Sequence, residues 1–134
     1  MKPTGQSCHL FAYGSLVDPL QLEAVLGHKH PGERVAARLR GYRRVTTDGY
    51  QYPFVVEDAD GSVDGVLVMD LSTGDLQVLD RYEEVEFGIY RRAPVQVEAW
   101  GCGPSPMRLS AEVYVAGATL EVLASTAHEP KYNF

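Results

Sequence analysis

Phe11-Ala12-Tyr13-Gly14-Ser15-Leu16, running straight into Val17-Asp18-Pro19, is the stretch around which the rest of the chain is organised. Cys8 to Phe11 is a short apolar run that reads as a strand. Gly14 and Ser15 are small enough for a tight turn, and Asp18-Pro19 reads as a helix N-cap with proline in the first helical position. Strand, turn and helix start in succession aim consecutive backbone N–H groups into one concavity, and such concavities bind anions, carboxylates included. The same residues also suit an ordinary turn after a strand, so the rest of the chain has to decide between the two.

Outward from that stretch, composition narrows the field. A chain of 134 residues with 45% apolar content can bury a core as one domain, here residues 1–134 with its core at about 8–115. A formal net charge of -6 argues against a nucleic-acid partner, since phosphate binding draws on clustered Lys and Arg. The basic residues that do cluster, Arg34, Arg38, Arg40, Arg43 and Arg44, mostly alternate with apolar ones and read as the wet face of a strand. A second reading of that strand is a docking surface for an acidic partner. Cys8 and Cys102 have no metal-motif spacing, and a lone disulfide between them is weakly supported. Met1 to Ser7 holds no apolar signal core and no run reaches membrane-spanning length, so the expectation is a cytoplasmic protein with no membrane partner.

Beyond the opening strand, Leu20, Leu22, Val25 and Leu26 predict a short amphipathic helix from Pro19 to Leu26, stopped by Gly27. His28 and His30 sit in a loop without the ligand company a metal needs, so no metal site is expected. Val35, Ala37 and Leu39 alternate with arginines in a half-buried strand over Glu33–Val45. Turns are expected at Thr47-Asp48-Gly49 and at Asp58 to Gly61, with a short strand at Tyr52–Val56 between them. Val63 to Met69, apolar on both faces, reads as a central strand. Ser72 or Thr73 opens a second helix through Leu76, Val78, Leu79 and Tyr82 to about Glu84. Strands follow at Tyr90–Trp100 and Met107–Val115, the second with Leu109, Ala111, Val113 and Val115 inward. Leu120 to Ala124 reads as one helical turn, and the tail from there to Phe134 is expected to be irregular. The sum is an α+β fold, a curled sheet or small mixed β-barrel with two or three short flanking helices.

One carboxylate in the second helix has chemical interest. At 100° per residue Glu83 shares a face with Leu76, Leu79 and Asp80, whereas Glu84 and Glu86 point elsewhere. A helix packed through those leucines carries Glu83 inward, where desolvation raises a carboxyl pKa toward the range a general base needs. Pairing with Arg91 or Arg92, or a place at the margin in water, accounts for the same pattern. Nucleophile readings fare worse. Ser15 lacks a G-x-S-x-G context because position 13 is Tyr, and there is no Walker loop or dinucleotide fingerprint.

With both stretches in view the chain resembles the gamma-glutamylcyclotransferase-like family. The resemblance rests on Tyr13-Gly14-Ser15-Leu16 closing an aromatic-rich strand, on Asp80-Arg81-Tyr82-Glu83 closing a helix, and on Tyr90-Arg91-Arg92 opening a strand. Tyr52-Pro53 matches a family Tyr-Pro as well, and the likeness runs from about residue 8 to residue 115. Where the family often has glycine after the glutamate, this chain has Glu84. The resemblance implies a small mixed β-barrel, a small-molecule γ-glutamyl substrate held at Gly14, Ser15 and Leu16, and Glu83 as acid/base. It also implies Tyr13 and Tyr90 at the pocket wall and a reaction that needs no cofactor. The products would be 5-oxoproline and a free amine or amino acid. A non-catalytic carboxylate binder on the same fold remains the rival, because fold alone does not decide function.

Overall fold

Strand β1, Cys8–Ala12, ends where the Tyr-Gly-Ser-Leu stretch begins, in a computed structural model that describes residues 8–47, 50–101 and 103–127. A 3-10 turn at Ser15–Val17 leads into helix α1, Pro19–Leu26. The Asp18 side chain caps α1 by accepting from the Leu20 N–H at 2.9 Å, and Gly27 ends it at φ 82°, a left-handed conformation open to glycine. Both ends of α1 therefore fall where the sequence marks them.

Five strands form one mixed sheet. After β1 come β2, Arg34–Thr47, and β3, Tyr50–Leu71. The last two are β4, Tyr90–Ala99, and β5, Met107–Ala116. Their hydrogen-bonded order is β1-β3-β2-β4-β5. β5 then returns to β1 through a short parallel pairing of Leu10 with Glu112 and Phe11 with Val113, so the sheet curls back on itself. β3 sits between β1 and β2, as expected of a segment apolar on both faces, with Leu67 and Val68 wholly buried. The connection at Asp48-Gly49 lies outside the described residues, although Thr47 pairs with Tyr50 across it. Cys102, and with it the question of a disulfide, also lies outside them.

Three expectations need correction. Tyr52–Val56 and Val63–Met69 are one continuous strand, so the described residues hold five strands and not six. Asp58 to Gly61 does not turn the chain. It bulges out of β3 between the pairs Tyr42–Glu57 and Arg40–Ser62, opposite Gly41 at φ 89°. The single helical turn expected at Leu120–Ala124 is longer: Ala118–Ala127 forms a third helix, α3, seated through Leu120, and the tail after it lies outside the described residues. Finally, β5 is buried on both faces at its end, Val113 through Ala116, because the curled sheet covers one side and the helices the other.

Helix α2, Thr73–Tyr82, follows β3. Its capping box is complete: the Ser72 hydroxyl accepts from the Asp75 N–H at 2.9 Å, and the Asp75 carboxylate accepts from the Ser72 N–H at 3.0 Å. Leu76 and Leu79 pack α2 against the sheet in a cluster shared with Leu10, Leu22 and Leu120. A second cluster, around Phe11, Leu39, Val63 and Val113, fills the concave side of the sheet. Alternate residues of β1 serve the two clusters, so the strand that carries the turn is anchored on both faces. Gly65 permits this, since a Cβ there would stand 2.3 Å from the Ala12 carbonyl oxygen.

Candidate active site

Where β1 ends, the sheet and α2 leave between them a cavity of about 250 Å³. Gly14, Ser15 and Leu16 form one side and Glu83 the other, with Tyr13, Tyr52, Pro53, Tyr90 and Tyr114 in the walls. All six candidates, Glu83, Tyr13, Gly14, Ser15, Leu16 and Tyr90, thus line one space although they come from three separate parts of the chain. A Cβ on Gly14 would stand in ordinary contact with the Pro53 ring at 3.5 Å, so a larger side chain there would fill the gap between turn and wall.

Glu83 is the C-cap of α2. Burial, with the neighbouring charge of Glu84 adding to it, pushes its carboxyl up from 4.5 to about 7. Of the two arginines offered as partners for Glu83, Arg91 and Arg92, the second is engaged elsewhere: it forks onto Asp80 at 2.8 and 3.1 Å and reaches Glu112 at 3.4 Å. The Tyr114 hydroxyl donates to the same Asp80 carboxylate at 2.7 Å. Burial and that bond hold the phenol well above its ordinary pKa, so it is a neutral donor. Its backbone carbonyl in turn accepts from the Tyr13 hydroxyl at 2.5 Å. A polar chain therefore ties β1, β5, β4 and α2 together behind the cavity.

The two tyrosines expected to offer hydroxyls at the wall are engaged with backbone. Tyr13 donates to Tyr114, and Tyr90 donates to the Pro53 carbonyl at 2.7 Å, which clamps β4 to β3 across the pocket. Glu84 departs from expectation. It does not continue the helix 100° further round, because it takes up a left-handed conformation at φ 56° and lines the cavity itself. Sequence reasoning passed over Tyr82 and Tyr114. Tyr82 also lines the cavity, and its hydroxyl lies 3.0 Å from the Ser15 hydroxyl and accepts from Gln21 at 3.2 Å. Its place in the helix motif beside Glu83 was the available signal. For Tyr114, a tyrosine on the strand face opposite Val113 and Val115 was the signal.

The histidines and arginines have local duties. His28 bonds Asp75 at 2.8 Å, and His30 bonds the Met69 carbonyl at 2.7 Å. Among the described residues no group of three or more His, Cys, Asp or Glu side chains is placed to hold a metal. Arg38, Arg40 and Arg43 pair with Asp64, Glu98 and Asp58, and Arg38 also lies 5.7 Å from the centre of the Trp100 ring. Three of the five clustered arginines are thus neutralised by neighbouring carboxylates, which weakens the pull of this strand on an acidic partner.

The model of the family described as gamma-glutamyl cyclotransferase, AIG2-like, matches residues 10–132. The chain belongs to this family. Relatives within the family include the AIG2-like protein C of Arabidopsis thaliana, 36% identical over 66% of this chain and 48% of that protein. Another is the Protein AIG2 C of the same plant, 30% identical over 69% of this chain and 53% of that protein. The chain spans about half the length of these curated relatives. A solution structure of an Arabidopsis thaliana protein superposes with a TM-score of 0.70 at 28% identity, covering 87% of this chain and 66% of that one. A gamma-glutamyl cyclotransferase structure shares the fold at a TM-score of 0.66 and 18% identity, over 83% of this chain and 67% of that one. The family's mixed α+β fold, a five-stranded sheet with three helices, is the one seen here. No described helix is long and apolar enough to cross a membrane.

Proposed function

We propose that this chain releases 5-oxoproline and a free amine or amino acid from a γ-glutamyl compound. The observation that carries the reading is Glu83, a carboxyl held near pKa 7 across a small cavity from the Gly14–Leu16 backbone. A γ-glutamyl group contains its own nucleophile. Its α-amine, once deprotonated, attacks the γ-carbonyl carbon and closes a five-membered ring, and the bond from that carbon to the leaving nitrogen breaks. The balance requires one proton to leave the attacking nitrogen and one to reach the departing nitrogen. Glu83, ionised for the first transfer and protonated for the second, serves both.

Backbone N–H groups at Gly14 to Leu16 would receive the substrate's α-carboxylate and leave the γ-carbonyl toward Glu83. Holding the two reacting groups in one small site replaces a costly search with a near-attack geometry. The chemistry calls for no cofactor, because acid/base transfer and positioning supply all that it lacks in water.

The test is a mass-spectrometric screen for 5-oxoproline over a panel of γ-glutamyl peptides and γ-glutamyl amines. Glu83→Gln keeps the side chain's shape but cannot shuttle a proton, so turnover should fall by about 10²–10⁴. Binding of 5-oxoproline without release from any member of the panel would make the protein a carboxylate binder on the family fold. Full turnover by Glu83→Gln would end the acid/base assignment.

A further inference from the structure

Among the arginines of β2, Arg34 is used differently. Arg38, Arg40 and Arg43 point to carboxylates at the surface, whereas the Arg34 guanidinium reaches the turn before α1. There its Nη2 donates to the carbonyls of Val17 and Leu16, the latter at 3.5 Å. These carbonyls close the 3-10 turn whose first residues line the cavity. Among the described residues, two backbone bonds hold the turn from within, Val17 N–H to Gly14 at 3.0 Å and Asp18 N–H to Ser15 at 3.3 Å. So short a 3-10 segment has little rigidity of its own. Nη1 of the same guanidinium is buried without a hydrogen-bond partner, so this cation gives up part of its solvation to stay behind the turn.

We propose that Arg34 is a positioning residue for the head-group turn. It holds from behind the backbone that receives the substrate's carboxylate, and it sets a positive charge at the carbonyl end of the aligned peptide dipoles. This inference rests on the function proposed above. Because the α-carboxylate is gripped equally in ground and transition states, loosening the turn weakens binding more than chemistry. Arg34 touches neither reacting atom and acts through Gly14 to Leu16.

The experiment compares the parent with Arg34→Met and Arg34→Lys by two readouts: amide hydrogen exchange without ligand, and kcat and KM for whichever γ-glutamyl substrate the screen identifies. For Arg34→Met, exchange at Val17 and Asp18 should quicken about tenfold, and KM should rise by about the same factor with kcat within about threefold, as expected for one lost charge-assisted bond. Arg34→Lys keeps the charge and one donor, and should recover most of the KM. Unchanged exchange at Val17 and Asp18 would overturn the proposal whether or not the protein turns over a γ-glutamyl compound. Loss of protection throughout β2 and β3 would overturn it too, by making Arg34 a plain part of the framework. If the parent shows no turnover while the exchange result holds, the proposed reaction fails and the support of the turn stands.

Discussion

The protonation of Glu83 should be visible as stability as well as activity. Its carboxyl titrates near 7 in the folded protein against an ordinary 4.5, because burial and Glu84 disfavour the charge. A group whose folded pKa is raised holds a proton that the unfolded chain releases earlier. Its contribution is therefore complete below about pH 4.5 and is lost as pH rises through about 7. A shift of that size corresponds to roughly 3 kcal/mol, and contact with water at the pocket mouth reduces the expected loss to about 2 kcal/mol. Glu83→Gln, always neutral, has no such loss.

Urea unfolding of parent and Glu83→Gln across this pH range is the assay. The difference between the two cancels every titration that they share, His28 and Asp75 included. The variant should gain on the parent by about 2 kcal/mol between about pH 4.5 and pH 7, with about half of the gain reached near pH 6 and a plateau above 7. Parallel stability curves would mean that Glu83 is well solvated, and a gain on the acid side would mean that it is paired with a cation. Either result refutes the desolvated carboxyl and with it the reason for choosing Glu83 as the base.

The other predictions concern its neighbours. Glu84→Gln removes a like charge beside Glu83, so the rise of kcat with pH should move to lower pH while the plateau stays within about threefold; an unmoved profile would show that the two carboxylates do not sense one another. Gly14→Val fills the gap to Pro53, so binding of 5-oxoproline measured by calorimetry should vanish while the melting transition persists; a variant that binds like the parent would remove the turn from the site. Asp80→Asn takes away the carboxylate that both Arg92 and Tyr114 use, and should cost about 2–3 kcal/mol in urea unfolding and shift the pH profile of kcat downward; a variant as stable as the parent would make that network incidental.

What could be read in the sequence was what local chemistry decides. Asp18, Pro19 and Gly27 mark α1 because capping and the left-handed stop are short-range. The inward face of α2 follows from period, and it carried Glu83 to the cavity. The failures have two causes, a partner remote in sequence and a helix that stops early. Asp58 to Gly61 has the composition of a turn, but a partner strand with Gly41 opposite absorbs it as a bulge. Glu84 defeats helical extrapolation because α2 stops at Tyr82, and from there 100° per residue no longer applies. Tyr114 looked like the outward member of an alternating strand, and only the helices packed on that face make it inward. The bulge and Tyr114 each needed a long-range partner that no window of sequence contains.

The arrangement around Glu83 makes sense as a division of charge. Arg92 opens β4 within reach of the last turn of α2, and a guanidinium beside Glu83 would pull its carboxyl down and keep it ionised. Asp80, one helical turn earlier, prevents this by holding Arg92 in a fork while Tyr114 satisfies the same carboxylate. The cation is thus neutralised three residues before the glutamate. What remains near Glu83 disfavours its charge: burial, Glu84, and the carbonyl end of α2, where a helix is least hospitable to an anion. Removing Glu84 alone would leave the larger cause, burial, in place, whereas releasing Arg92 would introduce an opposing one. That is why Asp80, though it is not in the cavity wall, should alter the pH profile more than Glu84, which is.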